Sequence, residues 1–262
     1  GAGRGIGRAI ALDLAARGFE VVATMRNPAA GESLVAEAAA AGTSLRVERL
    51  DVTDDDTIVI PEGLRVLVNN AGVEAEHPPF EHTPLDLWRT MFETNVFGLI
   101  EVTRRAIPAL RATGGGVICN VTSSSILAPV PFYAPYRSSK AAVMAIGESL
   151  RTELMPLGIR IVEIMPGPID TDMLEDSDRP AEAIEYPEYA PMAQKMYDGR
   201  KVSVADMVTP TPDAARAIGD AILDDDGPLR YGCDPLSVGM LEAWRHTPDE
   251  DLMRAVMSSW DD

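Results

Sequence analysis

Short apolar runs alternate with longer amphipathic segments along most of the chain. The apolar runs have the length and the Val/Ile content of buried strands, and they occupy residues 19–24, 44–50, 66–69, 117–122, 159–165 and 229–232. Between them, apolar residues recur at helical spacing, which predicts helices over residues 6–18, 29–41, 85–111, 135–157 and 212–223. Strands that alternate with helices in this way predict an α/β fold, a parallel sheet with helices on both faces.

The chain opens inside a glycine-rich run, Gly1 to Gly7, of the kind that binds phosphate between a strand and a helix. We therefore predict a Rossmann-type doubly wound parallel sheet of order 3-2-1-4-5-6-7, whose first strand is missing from this chain and would lie upstream of Gly1. That strand is central, and its loss would leave two unpaired edges inside the protein. We expect a chain that truly starts at Gly1 to be unstable and inactive.

Two segments depart from the regular alternation. The connection over residues 51–66 has room for two helical turns at most, whereas a crossover normally needs a dozen or more residues, so this layer of the fold should be stunted. Residues 172–210 are rich in Pro, Asp, Met and Tyr and predict a lid of short helices. We find no internal repeat and no linker, and we expect one domain over residues 1–262.

Composition and charge exclude several classes of partner. The 262 residues carry a net charge of −18, which argues against nucleic acid and against anionic membrane surfaces. Cys119 and Cys233 form no disulfide framework, and His77, His82 and His246 have no ligand spacing, so we expect no metal site. No stretch has the length of a membrane span, and no signal peptide is visible.

Tyr136 and Lys140 carry the most informative spacing in the chain. Positions i and i+4 share one face of a helix, so the phenol and the ammonium should point into the same space. A neighbouring cation favours phenolate and should lower the tyrosine pKa, which suits acid–base catalysis. The chain has 23 basic residues, of which only three are lysines, so a lysine here suggests a site that needs a compact charge.

Taken together, these motifs resemble the short-chain dehydrogenase/reductase family over residues 1 to about 171. The resemblance rests on the order and spacing of Gly1, Gly5, Gly7, Asn69, Asn70, Ala71, Gly72, Asn95, Ser123, Tyr136, Lys140, Pro166 and Gly167. It implies a single NAD(P)-binding Rossmann domain and an oxidoreductase that interconverts a secondary alcohol and a ketone or aldehyde by hydride transfer.

The resemblance also assigns four catalytic residues. Ser123 stands thirteen residues before the tyrosine, as the family pattern requires, and would hold the substrate oxygen. Tyr136 would exchange the proton with that oxygen, and Lys140 would lower the tyrosine pKa and grip the ribose of the cofactor. Asn95 would position a water that links Lys140 to solvent.

Family positions that contact the cofactor can be carried over in the same way. They are Gly1, Gly3, Arg4, Gly5, Ile6, Gly7, Arg26, Asp51, Val52, Asn69, Ala71, Gly72, Tyr136, Lys140, Pro166, Gly167, Ile169 and Thr171. Residues 21–27 contain no acid that would favour NAD, while Arg26 follows the strand and Arg4 lies in the glycine loop. Both arginines could bond a 2′-phosphate, so we predict NADP(H), with NAD as the weaker candidate.

The lid suggests what kind of substrate enters. It carries an irregular apolar set, Met173, Leu174, Ile184, Tyr186, Tyr189, Met192, Met196, Tyr197, Met207 and Val208. Such side chains suit a hydrophobic alcohol or carbonyl compound, although they could equally pack the lid onto the body.

Two other functions remain open from the sequence. Tyr133 lies seven positions before Lys140, a spacing that resembles enoyl-thioester reductases of the same family. A non-catalytic NADP-binding sensor on the same fold is the second alternative.

Assembly and location follow by analogy with the family. We expect a cytoplasmic homodimer or homotetramer built on the helices near Asn95 and Tyr136. The outer faces of these helices should present Ile100, Val102, Ile107, Leu110, Met144, Ile146 and Leu150.

Overall fold

All six strands of the computed structural model are parallel, and it describes residues 1–177, 180–204 and 207–261. The strands are β1 (Val21–Met25), β2 (Leu45–Arg49), β3 (Val66–Asn69), β4 (Gly116–Val121), β5 (Ile159–Met165) and β6 (Arg230–Gly232). They form a two-stranded sheet, β1-β2, and a four-stranded sheet, β3-β4-β5-β6. Val66 pairs with Val117 and Ile118 with Ile161, so β4 lies between β3 and β5, as the predicted strand order requires.

The strand orders β2-β1 and β3-β4-β5-β6 agree with the predicted doubly wound order. The main chain of the glycine run connects the carboxyl ends of β1 and β3. The Ala2 amide donates to the Thr24 carbonyl at 2.8 Å, and Asn70 Nδ2 donates to the Gly1 carbonyl at 2.9 Å. The glycine run therefore opens at the carboxyl edge of the sheets, where α/β folds bind ligands.

Ten helices lie within the described residues. They are α1 (Gly5–Ala16), α2 (Glu32–Ala40), α3 (Leu85–Phe92), α4 (Gly98–Ala112), α5 (Ala134–Leu154), α6 (Asp172–Ser177), α7 (Ala190–Val204), α8 (Thr211–Leu223), α9 (Pro235–His246) and α10 (Asp249–Asp261). Strand side chains alternate between the faces. Val162 and Ile164 of β5 pack with Ile218 of α8, whereas Ile161 packs with Leu110 of α4 on the opposite face.

The predicted helix over residues 85–111 is interrupted. A π-helical turn, Glu93–Phe97, separates α3 from α4, and it contains Asn95, which is 2% exposed. The sequence prediction of one continuous helix was therefore wrong at this point. The extra residue of a π turn rotates the side chains that follow it, and such turns are frequent at functional sites.

The connection between β2 and β3 is stunted, as predicted. It contains one short 3-10 turn, Asp55–Thr57, in place of a crossover helix. Thr57 Oγ1 donates to the Asp54 carbonyl at 2.7 Å and accepts from the Asp51 amide at 2.9 Å, which holds the loop together. Arg105 of α4 donates to the Asp55 carbonyl at 2.7 Å and ties the loop to the body.

The predicted lid contains α6, a 3-10 turn and α7, and α7 at fifteen residues is longer than the short helices expected. Ile169 and Thr209 form a parallel bridge that joins the two ends of this segment. Residues 178–179 and 205–206 of the predicted lid lie outside the described part of the chain. Within the described part, no helix combines the length and apolar character that crossing a membrane requires.

Candidate active site

The four residues predicted to be catalytic lie together at the carboxyl edge of the four-stranded sheet. Ser123 follows β4, Tyr136 and Lys140 lie on the first two turns of α5, and Asn95 lies in the π turn. Their exposed fractions are 9%, 8%, 6% and 2% respectively, so all four are buried. Pro135 occupies the start of α5, where a proline is tolerated, and fixes the helix just before the tyrosine.

Tyr136 lies against both Ser123 and Lys140. Ser123 lies close enough to the phenol to lower its pKa, and Ser123 Oγ donates to Ser125 Oγ at 2.9 Å. Lys140 Nζ lies 5.8 Å from the centroid of the Tyr136 ring. A substrate oxygen placed at the phenol would therefore also meet the serine hydroxyl.

Lys140 does not make the phenol acidic in this structure, contrary to the sequence prediction. Burial, followed by the negative charge of Glu74, raises the pKa of Tyr136, and Ser123 opposes this only partly. Burial also lowers the pKa of Lys140 to about 8, against the influence of Glu74. Lys140 Nζ donates to the Val121 carbonyl at 3.0 Å, and its charge is not among the main influences on the phenol.

Asn95 fixes the loop that follows β3. Its Nδ2 donates to the Val73 carbonyl at 2.9 Å and to Ser139 Oγ at 3.0 Å, while its Oδ1 accepts from the Val73 amide at 2.8 Å. These contacts tie the loop to α5. Gly72 lies so close that an added Cβ would be 3.3 Å from Asn95 Oδ1 and 3.4 Å from Lys140 Nζ.

The start of α1 fits the diphosphate of a dinucleotide. Gly5 has a φ of +55°, which favours glycine, and an added Cβ there would lie 3.4 Å from the Thr171 methyl group. Arg4 makes no side-chain cap to the helix, and the first turn contains no acid, so the first amides of α1 lack a side-chain acceptor from the cap. Amides at a helix start attract phosphate.

The glycines of this loop also allow close backbone approach. A Cβ on Gly7 would lie 2.2 Å from the Gly1 carbonyl oxygen and 2.3 Å from Asn70 Nδ2. A Cβ on Gly1 would lie 2.9 Å from the main chain of Ala71. Gly3 and Ile6 lie in the same loop and first helical turn, so the predicted phosphate-binding residues are brought together.

Three other predicted cofactor residues have structural partners. Asn69 Nδ2 donates to Thr103 Oγ1 and to Asn120 Oδ1, both at 2.9 Å, so the Asn69 side chain lies in the core and only its main chain could meet a cofactor. Val52 lies under α4, 2.7 Å from where a Cβ on Gly98 would be.

Asp51 is the third of these residues. Its Oδ1 accepts from the amide and the hydroxyl of Thr53, at 3.1 and 2.8 Å, and these bonds lower its pKa. The positive charge of Arg26 acts in the same direction, which places the exposed Arg26 close to Asp51 at the predicted adenosine end of the crevice. Arg4 pairs with Asp172 of α6 at 3.2 Å, with both side chains largely exposed.

The turn from Pro166 to Thr171 is held by a residue that sequence analysis missed. Asp234, 4% exposed, accepts from the Gly167 amide at 2.7 Å and caps α9 through Ser237. A Cβ on Gly167 would lie 2.5 Å from Asp234 Oδ1, so glycine is needed there. The signal was the Asp-Pro-x-Ser pattern at residues 234–237, which predicts a helix cap.

Comparison with known proteins agrees with this geometry. The profile of the family described as short chain dehydrogenase matches residues 1–182. The chain is 42% identical over 186 residues to the uncharacterized oxidoreductase YusZ of Bacillus subtilis strain 168, covering 68% of this chain and 66% of that protein. It is 33% identical over 184 residues to the NADPH-dependent 3-dehydrocapnine reductase of Ornithobacterium rhinotracheale, covering 66% of this chain and 65% of that protein. The chain belongs to the short-chain dehydrogenase/reductase family.

A solved structure supports the fold of this short-chain dehydrogenase/reductase over its whole length. A short-chain dehydrogenase from Streptomyces avermitilis superimposes with a TM-score of 0.77 at 29% identity, covering 100% of this chain and 93% of that one. The family and the Rossmann-type fold predicted from the motifs are thus confirmed. The chain spans about two thirds of the length of the two relatives named above.

Sequence analysis missed Glu74, an acid whose charge acts on Tyr136. Glu74 Oε1 lies 3.0 Å from His77 Nε2, and the His77 ring stacks on Tyr133 with centroids 3.6 Å apart. Arg200 of α7 donates to the Tyr133 hydroxyl at 3.0 Å. The sequence marked Glu74 only by its position two residues after Gly72, in the segment predicted to flank the cofactor. Among the described residues, His, Cys, Asp and Glu side chains form no metal-binding group.

Proposed function

We propose that this protein is an NADP(H)-dependent oxidoreductase that interconverts a secondary alcohol and a ketone or aldehyde on a hydrophobic substrate. The observation that supports this most directly is the contact of the buried Tyr136 phenol with Ser123, one turn from Lys140 and beside Asn95. The uncapped start of α1 and the close glycines supply a fitting site for the dinucleotide.

In this proposal each side chain has one task. When bound, the nicotinamide supplies or accepts the hydride. In the reducing direction Tyr136 donates its proton to the substrate oxygen, on which negative charge grows, and Ser123 holds that oxygen by a hydrogen bond. Burial keeps the phenol protonated at neutral pH, which suits donation. Lys140 holds a positive charge nearby, and Asn95 keeps the loop at Gly72 and Val73 against α5.

The direct test is a screen of hydrophobic ketones and aldehydes with NADPH, followed by absorbance at 340 nm. Turnover of at least one carbonyl compound is expected, together with quenching of protein fluorescence when NADPH binds. Binding without turnover on any compound would favour the non-catalytic sensor. Reduction of enoyl thioesters without reduction of ketones would favour the enoyl-thioester reductase.

The choice of NADP(H) depends on two arginines. Arg26 lies exposed at the end of β1 near Asp51, and no acid stands between Val21 and Arg26. The ion pair of Arg4 with Asp172 is exposed, and such pairs contribute only about 0–1 kcal/mol, so Arg4 can turn to a 2′-phosphate. The relative named as an NADPH-dependent reductase adds support.

Replacing Arg26 by alanine is expected to raise the KM for NADPH by roughly tenfold or more, because a charge-assisted hydrogen bond is lost. The KM for NADH, which has no 2′-phosphate, should change by less than about threefold on the same reasoning. Both constants are measured with one carbonyl substrate. Arg46→Ala, an exposed arginine on β2, is the matched control. A parent protein that prefers NADH would contradict the assignment.

The hydrophobic substrate is supported by the surroundings of Tyr136. Met91 and Tyr133 pack with it, and Met196 of α7 joins this cluster to a second one that contains Tyr189. The lid helix therefore lies over the catalytic tyrosine with an apolar side chain. Ile184 and Tyr189 of the lid also pack with Phe132 of the body, which is the alternative interpretation of these side chains.

Tyr136 is the better candidate for the proton donor than Tyr133. The Tyr133 hydroxyl accepts from Arg200 and its ring stacks on His77, so it belongs to the wall of the pocket. Ser123 contacts Tyr136. This arrangement supports carbonyl chemistry over the enoyl-thioester alternative.

A homodimer or homotetramer in the cytoplasm remains part of the proposal. Both cysteines are buried free thiols, which suits a reducing compartment.

The predicted outer faces of the helices need correction, because Val102 and Leu110 lie in the core at 5% and 0% exposure. Phe97 and Ile100, exposed by 55% and 36%, are the apolar residues presented at the start of α4.

Replacing both Phe97 and Ile100 by aspartate is expected to shift the protein from oligomer to monomer, since charges would be buried in the proposed interface. Sedimentation velocity measures this, and circular dichroism checks the fold. Val238→Asp, at an exposed valine on α9, is the control. A parent that sediments as a monomer would contradict the proposal.

A further inference from the structure

An acid and an imidazole lie largely out of solvent beside the proposed catalytic side chains. The side chains of Glu74 and His77 are 15% and 11% exposed and bond to each other at 3.0 Å. An acid that is mostly out of solvent acts on its neighbours through a medium that screens charge weakly. The proposed reaction as described so far gives neither residue a task.

The main chain fixes this pair relative to the catalytic residues. The main chain of Val73, the residue before Glu74, exchanges two hydrogen bonds with the side-chain amide of Asn95. Gly72, one residue earlier, comes within 3.4 Å of Lys140 Nζ when a Cβ is added to it. Glu74 therefore enters the site on a loop that Asn95 holds and that lies against Lys140.

The imidazole is fixed from the other side. The His77 carbonyl accepts from the Ala183 amide at 3.2 Å, and the ring lies nearly parallel to Tyr133, at 17°. Tyr133 in turn accepts from Arg200. Neither His77 nor the carboxylate that it bonds can move far without disturbing the lid.

The charge of Glu74 acts on both catalytic side chains. It opposes the effect of burial on the pKa of Lys140, whose hydrogen-bond acceptor is the uncharged Val121 carbonyl. It adds to the effect of burial on the pKa of Tyr136. In each case the negative charge favours the protonated form.

We propose that Glu74, oriented by His77, is a positioning residue whose negative charge keeps Lys140 protonated near neutral pH beside the protonated phenol of Tyr136. This rests on the proposed function and deepens it, because a site that stores the proton at the phenol is biased toward reducing a carbonyl group. The acid acts through its two neighbours and needs no contact with substrate.

Other charged groups near Tyr136 stay in place when Glu74 is neutralised. Arg200 lies on α7 and bonds Tyr133, and Arg137 on α5 donates to the Ser125 carbonyl at 2.7 Å. The effect of Glu74→Gln therefore reports the loss of one negative charge. His77, which is the partner of that charge, is tested separately.

The test uses the small number of lysines in the full chain. Lysine labelled with ¹³C at Cε gives one resonance for each of Lys140, Lys195 and Lys201, and the Lys140 signal is identified by its absence in Lys140→Met. In Glu74→Gln we expect Lys140 to titrate about one pH unit lower than in the parent. Glu74→Asp keeps the charge and should restore most of the difference.

Further variants keep the test decisive. Glu153→Gln, an exposed acid on α5, is the matched control and should leave the Lys140 titration unchanged. His77→Phe keeps a ring against Tyr133 and removes the bond to Glu74, so a smaller shift in the same direction is expected, even if Glu74→Gln fails to fold. Identical Lys140 titration in the parent and in the folded variants overturns the proposal.

The pH profile of turnover separates this role from a structural one. In Glu74→Gln, the rate of carbonyl reduction should begin to fall at a lower pH than in the parent. The rate of alcohol oxidation should likewise begin to rise at a lower pH. A loss of kcat that is equal at every pH would indicate a structural role and contradict the proposal. Because the lysine resonances need no turnover, a protein inactive on every carbonyl would refute the proposed function and leave this result readable.

Discussion

Phenylalanine at position 136 is expected to lower kcat for carbonyl reduction by about 10²–10⁴-fold, the usual contribution of a general acid. The substitution removes the hydroxyl that contacts Ser123 and keeps the ring that packs with Met91 and Tyr133. The substrate oxygen would then gain charge with one hydrogen bond in place of two and no proton. The KM should change far less, because the hydrophobic body of the substrate binds elsewhere.

Two measurements make this result specific. NADPH binding, followed by fluorescence, should remain within about threefold of the parent, since the diphosphate site at α1 is untouched. Tyr133→Phe is the matched variant on the same helical turn, and we expect it to keep at least about a tenth of the activity, because its hydroxyl bonds only the lid arginine among the contacts observed. If Tyr133→Phe abolishes reduction and Tyr136→Phe does not, the assignment of the proton donor is wrong.

The fold could be predicted from the sequence because each buried strand is marked by its own apolar run, and such runs recur along the chain. Buried parallel strands such as Ile159–Met165 read as apolar runs, and β3 and β5 coincide with the predicted bounds. The stunted connection after β2 followed from chain length alone. The interruption at Asn95 did not, because the helical spacing of apolar residues continues on both sides of one π turn.

The candidate site was predictable in its members and less so in its electrostatics. Spacing placed Ser123, Tyr136 and Lys140 together, since each position is fixed by a neighbouring strand end or helix turn. The pKa directions depend on burial and on Glu74, which approaches from a different loop. The Tyr136–Lys140 spacing within one helix shows neither the burial of the phenol nor the approach of Glu74. The prediction that Lys140 lowers the pKa of Tyr136 was therefore wrong.

Asp234 and His77 were missed for the same reason. Both act through contacts that span long sequence separations, from Asp234 to Gly167 and from His77 to Tyr133. The outer-face prediction for α4 failed because the face of a helix that meets the sheet depends on its rotation, which the π turn changes. Val102 and Leu110 consequently lie in the core.

Methionine at position 140 is expected to abolish activity and yet to stabilise the fold. Lys140 is 6% exposed, and burial lowers its pKa from 10.5 to about 8. Each unit of pKa corresponds to about 1.4 kcal/mol, so holding the ammonium in the folded site costs about 3 kcal/mol below pH 8. The variant loses the hydrogen bond to the Val121 carbonyl, which destabilises it by about 1 kcal/mol. The free energy of unfolding of Lys140→Met, whose side chain has a similar shape, should therefore exceed that of the parent by about 2 kcal/mol.

The pH dependence gives this prediction its sign. Below about pH 8 the lysine is protonated in both the folded and unfolded states, so the full cost applies. Between about 8 and 10.5 the unfolded chain binds more protons than the folded one, and the stability of the parent rises with pH. The advantage of Lys140→Met should therefore be largest at neutral pH and should shrink above pH 8.

Urea unfolding of the parent and Lys140→Met between pH 6.5 and pH 9.5 measures this difference. At pH 6.5 the variant should also melt about 5 °C higher, as about 2 kcal/mol implies for a domain of this size. Lys195→Met on α7 is the control, because that lysine lacks the burial of Lys140. A Lys140→Met protein that is less stable than the parent at pH 6.5 would mean that the ammonium is held by partners strong enough to outweigh its desolvation. In that case the charged Lys140 would not lower the free energy of unfolding of the parent.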